Sequence, residues 1–266
     1  MVLSENQLSD LNRDGFLIVP DLFSESEVAS LRNRLPSLLH DGNEANVIEK
    51  SSGEVRTAMG LHLRDTLFNK LSRHPRLVGP ARQIRPGALY IQQVKVNVKA
   101  AFSGETWQWH YDFATHHADD GVPKPLALNL HVFLDDIGEH NGPLYFIPGS
   151  HQYGAHRTRH DVTTTSYPLW VVDDDVVRAM VENAQSIDPD RGIVSATGGR
   201  GTALIFFDTL VHGSANNMSP WDRSIYSLIL NPVDNAYTRE HRPDYKHHRD
   251  LSDVGEEADD CLLAGC

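Results

Sequence analysis

The spacing of hydrophobic positions along this chain changes near Ala88, from a helical period before it to a two-residue period after it. Ser4 precedes Gln7 by three residues and Ser24 precedes Glu27 by three. Each pair has the form of a capping box, in which a hydroxyl accepts from the backbone of the first helical turn and the Gln or Glu side chain reaches back. After Ser24, the positions Val28, Leu31, Leu35, Leu38 and Leu39 fall at helical spacing. Pro36 has no N–H to give that helix, so a kink or division is predicted there. Between the two helices, the short apolar run Gly15–Pro20 predicts a strand. Residues 41–60 are polar and irregular, and a third helix is predicted over Leu63–Leu71, ending near His74-Pro75.

From Ala88 onward strands and turns dominate. Tyr90–Lys99 alternates, with Val94, Val96 and Val98 on one face and Gln93, Lys95, Asn97 and Lys99 on the other. Leu128–Leu134 repeats the pattern, setting Leu128, Leu130, Val132 and Leu134 against Asn129, His131 and Phe133. Such a polar strand face is either solvated or lines a pocket inside a barrel, and alternation alone leaves both open. Asn141-Gly142-Pro143 and Pro148-Gly149-Ser150-His151 read as turns around a strand at Leu144–Ile147. Thr202–Phe207 and Ser224–Leu230 read as further strands. Residues 152–192 lack regular signals and are expected to form a long lid or binding loop. From Asn235 the chain is charged and poor in core residues, so a tail with a mobile end is expected. Helices followed by many short strands predict a mainly β fold with α cover. The expected organisation is one domain over 1–266, with a helical part at 1–85, a barrel or double-sheet core at 86–235 and a charged tail at 236–266.

Composition narrows the class. A hydrophobic content of 40% supports a real core, and no apolar run approaches the ~18 residues of a membrane span. The first residues lack the basic and apolar regions of a signal peptide. Cys261 and Cys266 are the only cysteines, so no disulfide framework is expected. These features predict a cytoplasmic protein. A net charge of −12 argues against a nucleic-acid partner, since phosphate backbones are met by clustered Lys and Arg. The acidic runs Asp173–Asp175 and Glu256–Asp260 read as solvated surface. A small-molecule substrate is expected, with no membrane partner, for a monomer or homodimer.

The candidate chemistry centres on Trp107-Gln108-Trp109-His110-Tyr111-Asp112. In an extended strand, alternate residues share a face, so His110 and Asp112 project side by side. An imidazole and a carboxylate so placed can grip a divalent metal, and His212, in Leu-Val-His-Gly-Ser, offers a third ligand. Two histidines and one carboxylate on one side of a metal form the facial triad of non-haem Fe(II) oxygenases.

An ordered series of motifs then resembles a known family. Arg13-Asp14-Gly15-Phe16-Leu17, Trp109-His110-Tyr111-Asp112-Phe113, Asp120-Gly121-Val122-Pro123, Asn141-Gly142-Pro143-Leu144, Ile147-Pro148-Gly149-Ser150-His151 and His212-Gly213-Ser214-Ala215-Asn216-Asn217 occur in that order, and Arg223 follows eleven residues after His212. The series resembles the phytanoyl-CoA dioxygenase family of Fe(II)- and 2-oxoglutarate-dependent oxygenases, and within it the ectoine hydroxylase group. The resemblance implies a double-stranded β-helix of the jelly-roll, cupin-like kind. It also implies Fe(II), 2-oxoglutarate and O2 as cofactor and cosubstrates. The reaction implied is hydroxylation of an unactivated C–H bond in a small polar metabolite, an amino acid or amino-acid-derived natural product, with release of succinate and CO2. It places Arg223 on the distal carboxylate of 2-oxoglutarate, where a planar guanidinium can make two parallel hydrogen bonds. Asn97 and Lys95 match positions that help hold the cosubstrate, and Asn129 stands where the ectoine hydroxylase group has a serine. Gln93 matches a substrate-contacting glutamine and Phe206 an aromatic wall.

One departure bears on substrate. Where ectoine hydroxylases carry a tryptophan before the Asp-Gly segment, this chain has His116. Losing an indole removes a large apolar wall and a cation–π partner for a cationic ring, while His116 and His117 offer hydrogen bonds instead. Ectoine 5-hydroxylation proper is therefore the alternative rather than the first expectation. His151 is expected to be structural. A halogenase on the same fold would lack the carboxylate that Asp112 supplies. A metal binder without turnover, or a Zn-dependent hydrolase, would not need Arg223.

Overall fold

The computed structural model describes residues 1–154 and 157–263; Cys266 lies outside them. Both capping boxes are formed, Ser4 opening α1 (Glu5–Asp14) and Ser24 opening α2 (Glu25–Arg32), with β1 (Phe16–Val19) between them. The chain divides as Pro36 predicts, since α2 ends and α3 (Leu35–Leu39) takes the proline into its first turn. Residues 41–60 contain a hairpin, β2 (Asn46–Ile48) and β3 (Val55–Met59). Local pattern does not announce it because the pairing is tertiary: β3 lies against the next long strand, Thr57 opposite Asn97. The helix predicted over Leu63–Leu71 is two, α4 (Leu61–Arg64) and α5 (Thr66–Ser72). Asp65 separates them and caps α5 through Leu67 N at 2.8 Å. His74-Pro75 starts a helix rather than ending one. Proline at the first helical position loses no bond, and α6 runs Pro75–Ile84.

The strands follow as β4 (Leu89–Lys99) and β5 (Trp107–His110), then α7 (Asp112–Asp120), β6 (Leu128–Phe133) and β7 (Leu144–Phe146). Residues 152–192, expected as one long loop, contain β8 (Thr158–Asp161), β9 (Leu169–Val172) and α8 (Asp174–Ile187). The acidic run Asp173–Asp175 is the start of α8, where carboxylates meet the positive end of the helix dipole. The chain then forms β10 (Val194–Ala196), β11 (Ala203–Phe207), β12 (His212–Ser214) and β13 (Arg223–Pro232).

Two antiparallel sheets face each other, one ordered β1-β11-β6-β13-β4-β3-β2 and the other β10-β7-β12-β5-β9-β8. This is the double-stranded β-helix expected from the motif series. The outer face of the larger sheet carries Val94, Val96, Leu130, Tyr226 and Leu228 into a core roofed by α2–α6, through Leu31, Phe68, Leu71 and Leu77. Its inner face, on which Lys95 stands opposite Ser227 and Ser227 opposite His131, looks toward the smaller sheet. The stretch after Asn235 departs from the expected tail. Val254, Cys261 and Leu262 are buried in the helix-covered core, and Val254 N donates to Leu89 O at 2.7 Å. Burying such aliphatic side chains contributes ~1.5–3 kcal/mol each, which outweighs the charge around them. No helix among the described residues is long and apolar enough to cross a membrane.

Candidate active site

His110 ends β5 and His212 begins β12, and the two are direct partners across the antiparallel ladder. Their rings lie 4.2 Å apart, centroid to centroid. The strand that was expected to carry Asp112 stops at His110. Tyr111 remains extended (φ −132°, ψ 141°), and Asp112 is the first residue of α7. Side-chain alternation therefore survives to Asp112 although the strand does not, while Trp109 and Tyr111 turn away into a cluster with Val172 and Met180. Nε2 of His110 is 3.8 Å and Nε2 of His212 4.0 Å from the Asp112 carboxylate. One ligand atom from each of the three lies within 4.8 Å of the others.

The donor set fits Fe(II). His110 Nδ1 meets Gln108 O at 2.6 Å and His212 Nδ1 meets Leu210 O at 2.9 Å. Backbone carbonyls accept only from N–H, so both Nδ1 atoms are protonated and both Nε2 lone pairs face Asp112. Burial, reinforced by His212, pushes His110 down to about 3, and burial lowers His212 too. Both rings are thus neutral, as ligation requires. Burial alone would raise Asp112, but its charged surroundings, Lys95 among them, outweigh it and hold the carboxyl below its ordinary value.

The triad opens onto a cavity between the sheets. Gln93, Lys95 and Asn97 line it, so the polar face of β4 looks into a pocket rather than into solvent. Lys95 Nζ donates to Gln93 Oε1 at 2.7 Å, and Thr57 Oγ1 donates to Asn97 Oδ1 at 3.0 Å. His116 also lines the cavity from α7. Burial pushes it down to about 3, and its Nδ1 has no hydrogen-bond partner.

Arg223 reaches the cavity from the start of β13, fully buried. Its Nε and Nη2 donate to Gly142 O, which fixes one edge of the guanidinium and leaves the end-on edge open. No carboxylate lies within ion-pair distance of it among the described residues, and burial lowers its pKa to about 9. A buried cation without a counter-ion is costly unless an anion arrives.

Two expected residues are not brought to the lining. Asn129 is buried on β6 with neither amide atom hydrogen-bonded. Phe206 sits behind His212, edge-on at 5.2 Å, and against Phe146. His151, expected to be structural, holds Asn12 O at 3.1 Å. The cavity also takes in side chains that sequence reasoning left unassigned: Trp107, His131, Tyr167 and Arg242. His131 was visible as a polar position of an alternating strand. Tyr167 and Arg242 lie in the segments expected as loop and tail, and nothing in their local sequence marks them.

Comparison with known proteins agrees with this geometry. The family model described as Phytanoyl-CoA dioxygenase (PhyH) matches residues 11–225. The L-proline trans-4-hydroxylase of Streptomyces griseoviridis is 35% identical over 254 residues, covering 91% of each chain. An ectoine dioxygenase of Nocardia farcinica is 34% identical over 260 residues, covering 92% of this chain and 85% of the relative. The crystal structure of EctD from S. alaskensis with 2-oxoglutarate and 5-hydroxyectoine superposes with a TM-score of 0.79 at 32% identity, over 96% of this chain and 86% of that one.

Proposed function

The chain belongs to the phytanoyl-CoA dioxygenase (PhyH) family, and we propose that it hydroxylates a small cyclic amino acid, L-proline in the first instance. It is an Fe(II)- and 2-oxoglutarate-dependent dioxygenase of a small polar metabolite. Bound Fe(II) with 2-oxoglutarate and O2 supplies the oxidation, in which the 2-oxo acid leaves as succinate and CO2 and the substrate gains a hydroxyl group.

In this proposal His110, Asp112 and His212 hold the metal, and Arg223 takes the distal carboxylate of 2-oxoglutarate on its open edge, with Lys95 and Asn97 beside it. The unpaired, buried charge of Arg223 is the observation that carries the cosubstrate assignment. Across the cavity, Arg242 offers a second guanidinium and His116 an unpartnered neutral nitrogen. A zwitterion suits that pair, its carboxylate on Arg242 and its ammonium donating to His116 Nδ1. Trp107 and Tyr167, with rings 5.2 Å apart and tilted by 52°, supply an apolar corner for a small ring. Gln93 adds a polar contact at the same end. The protein's work is to hold one C–H bond in place and keep bulk water out.

The test is turnover of L-proline, L-pipecolate and ectoine by the purified chain with Fe(II), 2-oxoglutarate and ascorbate. L-Proline is expected to give hydroxylated product and succinate in equal amounts. Turnover of ectoine alone, or succinate without any hydroxylated amino acid, would overturn the substrate assignment.

A further inference from the structure

Within the segment after Asn235, residues 237–247 form a strap beside the cavity, and a cluster of the ties that seat it runs to one turn. Asp120, the last residue of α7, is fully buried. Its carbonyl accepts from Thr238 N at 3.0 Å and Arg239 N at 2.9 Å. Its Oδ1 accepts from Arg242 Nε at 2.9 Å and its Oδ2 from Arg242 Nη2. His247 Nδ1 lies 2.8 Å from the same Oδ2, and His247 Nε2 meets Tyr90 Oη at 3.2 Å. Gly121 follows with φ +69°, and a Cβ there would overlap the Thr238 hydroxyl and come within 2.8 Å of Arg239 Nε. That close approach gives the Asp-Gly pair a physical reason. The far end of the strap is tied to the cavity floor, since Gln93 Nε2 donates to Lys246 O at 2.6 Å.

These contacts place a carboxylate outside the metal site in control of a cavity-lining cation. An arginine on a surface strap has many rotamers of similar energy, and only one points its free edge into the cavity. Asp120 takes up Nε and one Nη2 hydrogen, which leaves Nη1 and the other Nη2 hydrogen as the edge facing the cavity. His247 Nδ1 stands against the Oδ2 that also meets Arg242, a second contact on the carboxylate beside the arginine. Arg242 and the other donors hold Asp120 ionised, its pKa below the ordinary carboxylate value despite burial.

We propose that Asp120 is a positioning residue for the substrate, fixing Arg242, with His247 as brace, so that the strap presents a preset carboxylate-binding edge. The proposal rests on the assignment of Arg242 to the substrate carboxylate. Asp120→Asn keeps the shape but turns an N–H2 toward Arg242 or His247, and so removes one of the two anchors.

The experiment compares wild type, Asp120→Asn, Arg242→Ala and the double variant with L-proline as substrate. It also titrates 2-oxoglutarate into each Fe(II)-loaded protein without oxygen, following the visible charge-transfer band. Asp120→Asn is expected to raise KM for L-proline roughly ten- to a hundredfold, the scale of an ångström-size misplacement, with a smaller change in kcat. The 2-oxoglutarate titration should match wild type, and more succinate should form per hydroxylated product. In the Arg242→Ala background the same change should add nothing to KM. Wild-type KM in Asp120→Asn together with a raised KM in Arg242→Ala overturns the proposal and leaves the Arg242 assignment standing, even if thermal stability falls. Wild-type KM in both single variants, or no hydroxylation of L-proline by wild type, overturns the substrate assignment and this inference with it. If Asp120→Asn lacks the absorption band and has not folded, His247→Phe removes the brace alone. A severalfold rise in KM that vanishes in Arg242→Ala supports the proposal, and no rise overturns it.

Discussion

His110 and His212 face each other across one antiparallel rung, 102 residues apart in sequence and 4.2 Å apart ring to ring. Register alone brings them together, and backbone carbonyls at Gln108 and Leu210 set both tautomers. Removal of either ring should therefore cost more metal affinity than the roughly 10–100-fold typical of outer-shell changes. Titration of Fe(II) into His110→Ala and His212→Ala checks this, and stoichiometric tight binding in both would remove the triad. Asp112→Gly should lose hydroxylation with the fold intact, because the anionic ligand goes while Tyr111 still carries the chain from β5 into α7 in an extended conformation.

Arg223→Ala should weaken 2-oxoglutarate binding by about two to three orders of magnitude. Breaking a buried charge pair costs roughly 3–5 kcal/mol, and each 1.4 kcal/mol is tenfold. Arg223→Lys keeps the charge but loses the fork, so it should fall between. Fe(II) binding should be unchanged in both. The anaerobic charge-transfer band reports the cosubstrate directly, and an identical titration in Arg223→Ala would hand its role to another cation, Lys95 first.

Acid sensitivity has a source away from the metal. His62 and His248 are buried against each other, rings 4.3 Å apart. Burial, then the neighbouring imidazole, pushes His62 from 6.5 down to about 3, and burial pushes His248 down to about 4. Between these values and 6.5 the unfolded chain binds more protons than the folded one, so stability rises with pH across that window and is lost as pH falls through it. Above 6.5 both states are neutral and the term is constant. Urea unfolding of the metal-free protein should show a falling midpoint from about pH 6 to pH 4. In His62→Phe the slope should be shallower by up to about 1.4 kcal/mol per pH unit. Equal slopes in the two proteins would place the acid sensitivity elsewhere.

Much of this arrangement is legible in the chain. The triad, Arg223 and the polar face of β4 follow from alternation and motif order, because a two-residue period fixes which side chains share a face. The capping boxes and the break at Pro36 are local rules that the tertiary structure leaves alone. What escapes is what depends on contact at a distance. The β2–β3 hairpin exists because β4 offers an edge. Arg242 belongs to the site because Asp120, 122 residues earlier, holds it. A charged stretch with few aliphatic positions looks like a tail until Val254 and Leu262 find the core.

Under the proposed function this site inserts one oxygen atom into a cyclic amino acid at the expense of 2-oxoglutarate. Incubation of the wild-type protein with Fe(II), 2-oxoglutarate and L-proline under isotopically labelled dioxygen measures it most directly. One labelled oxygen is expected in hydroxyproline and one in succinate, formed in equal amounts, with neither product in Arg223→Ala at wild-type cosubstrate concentrations. Hydroxyproline carrying unlabelled oxygen from water, or labelled product formed without succinate, would contradict it.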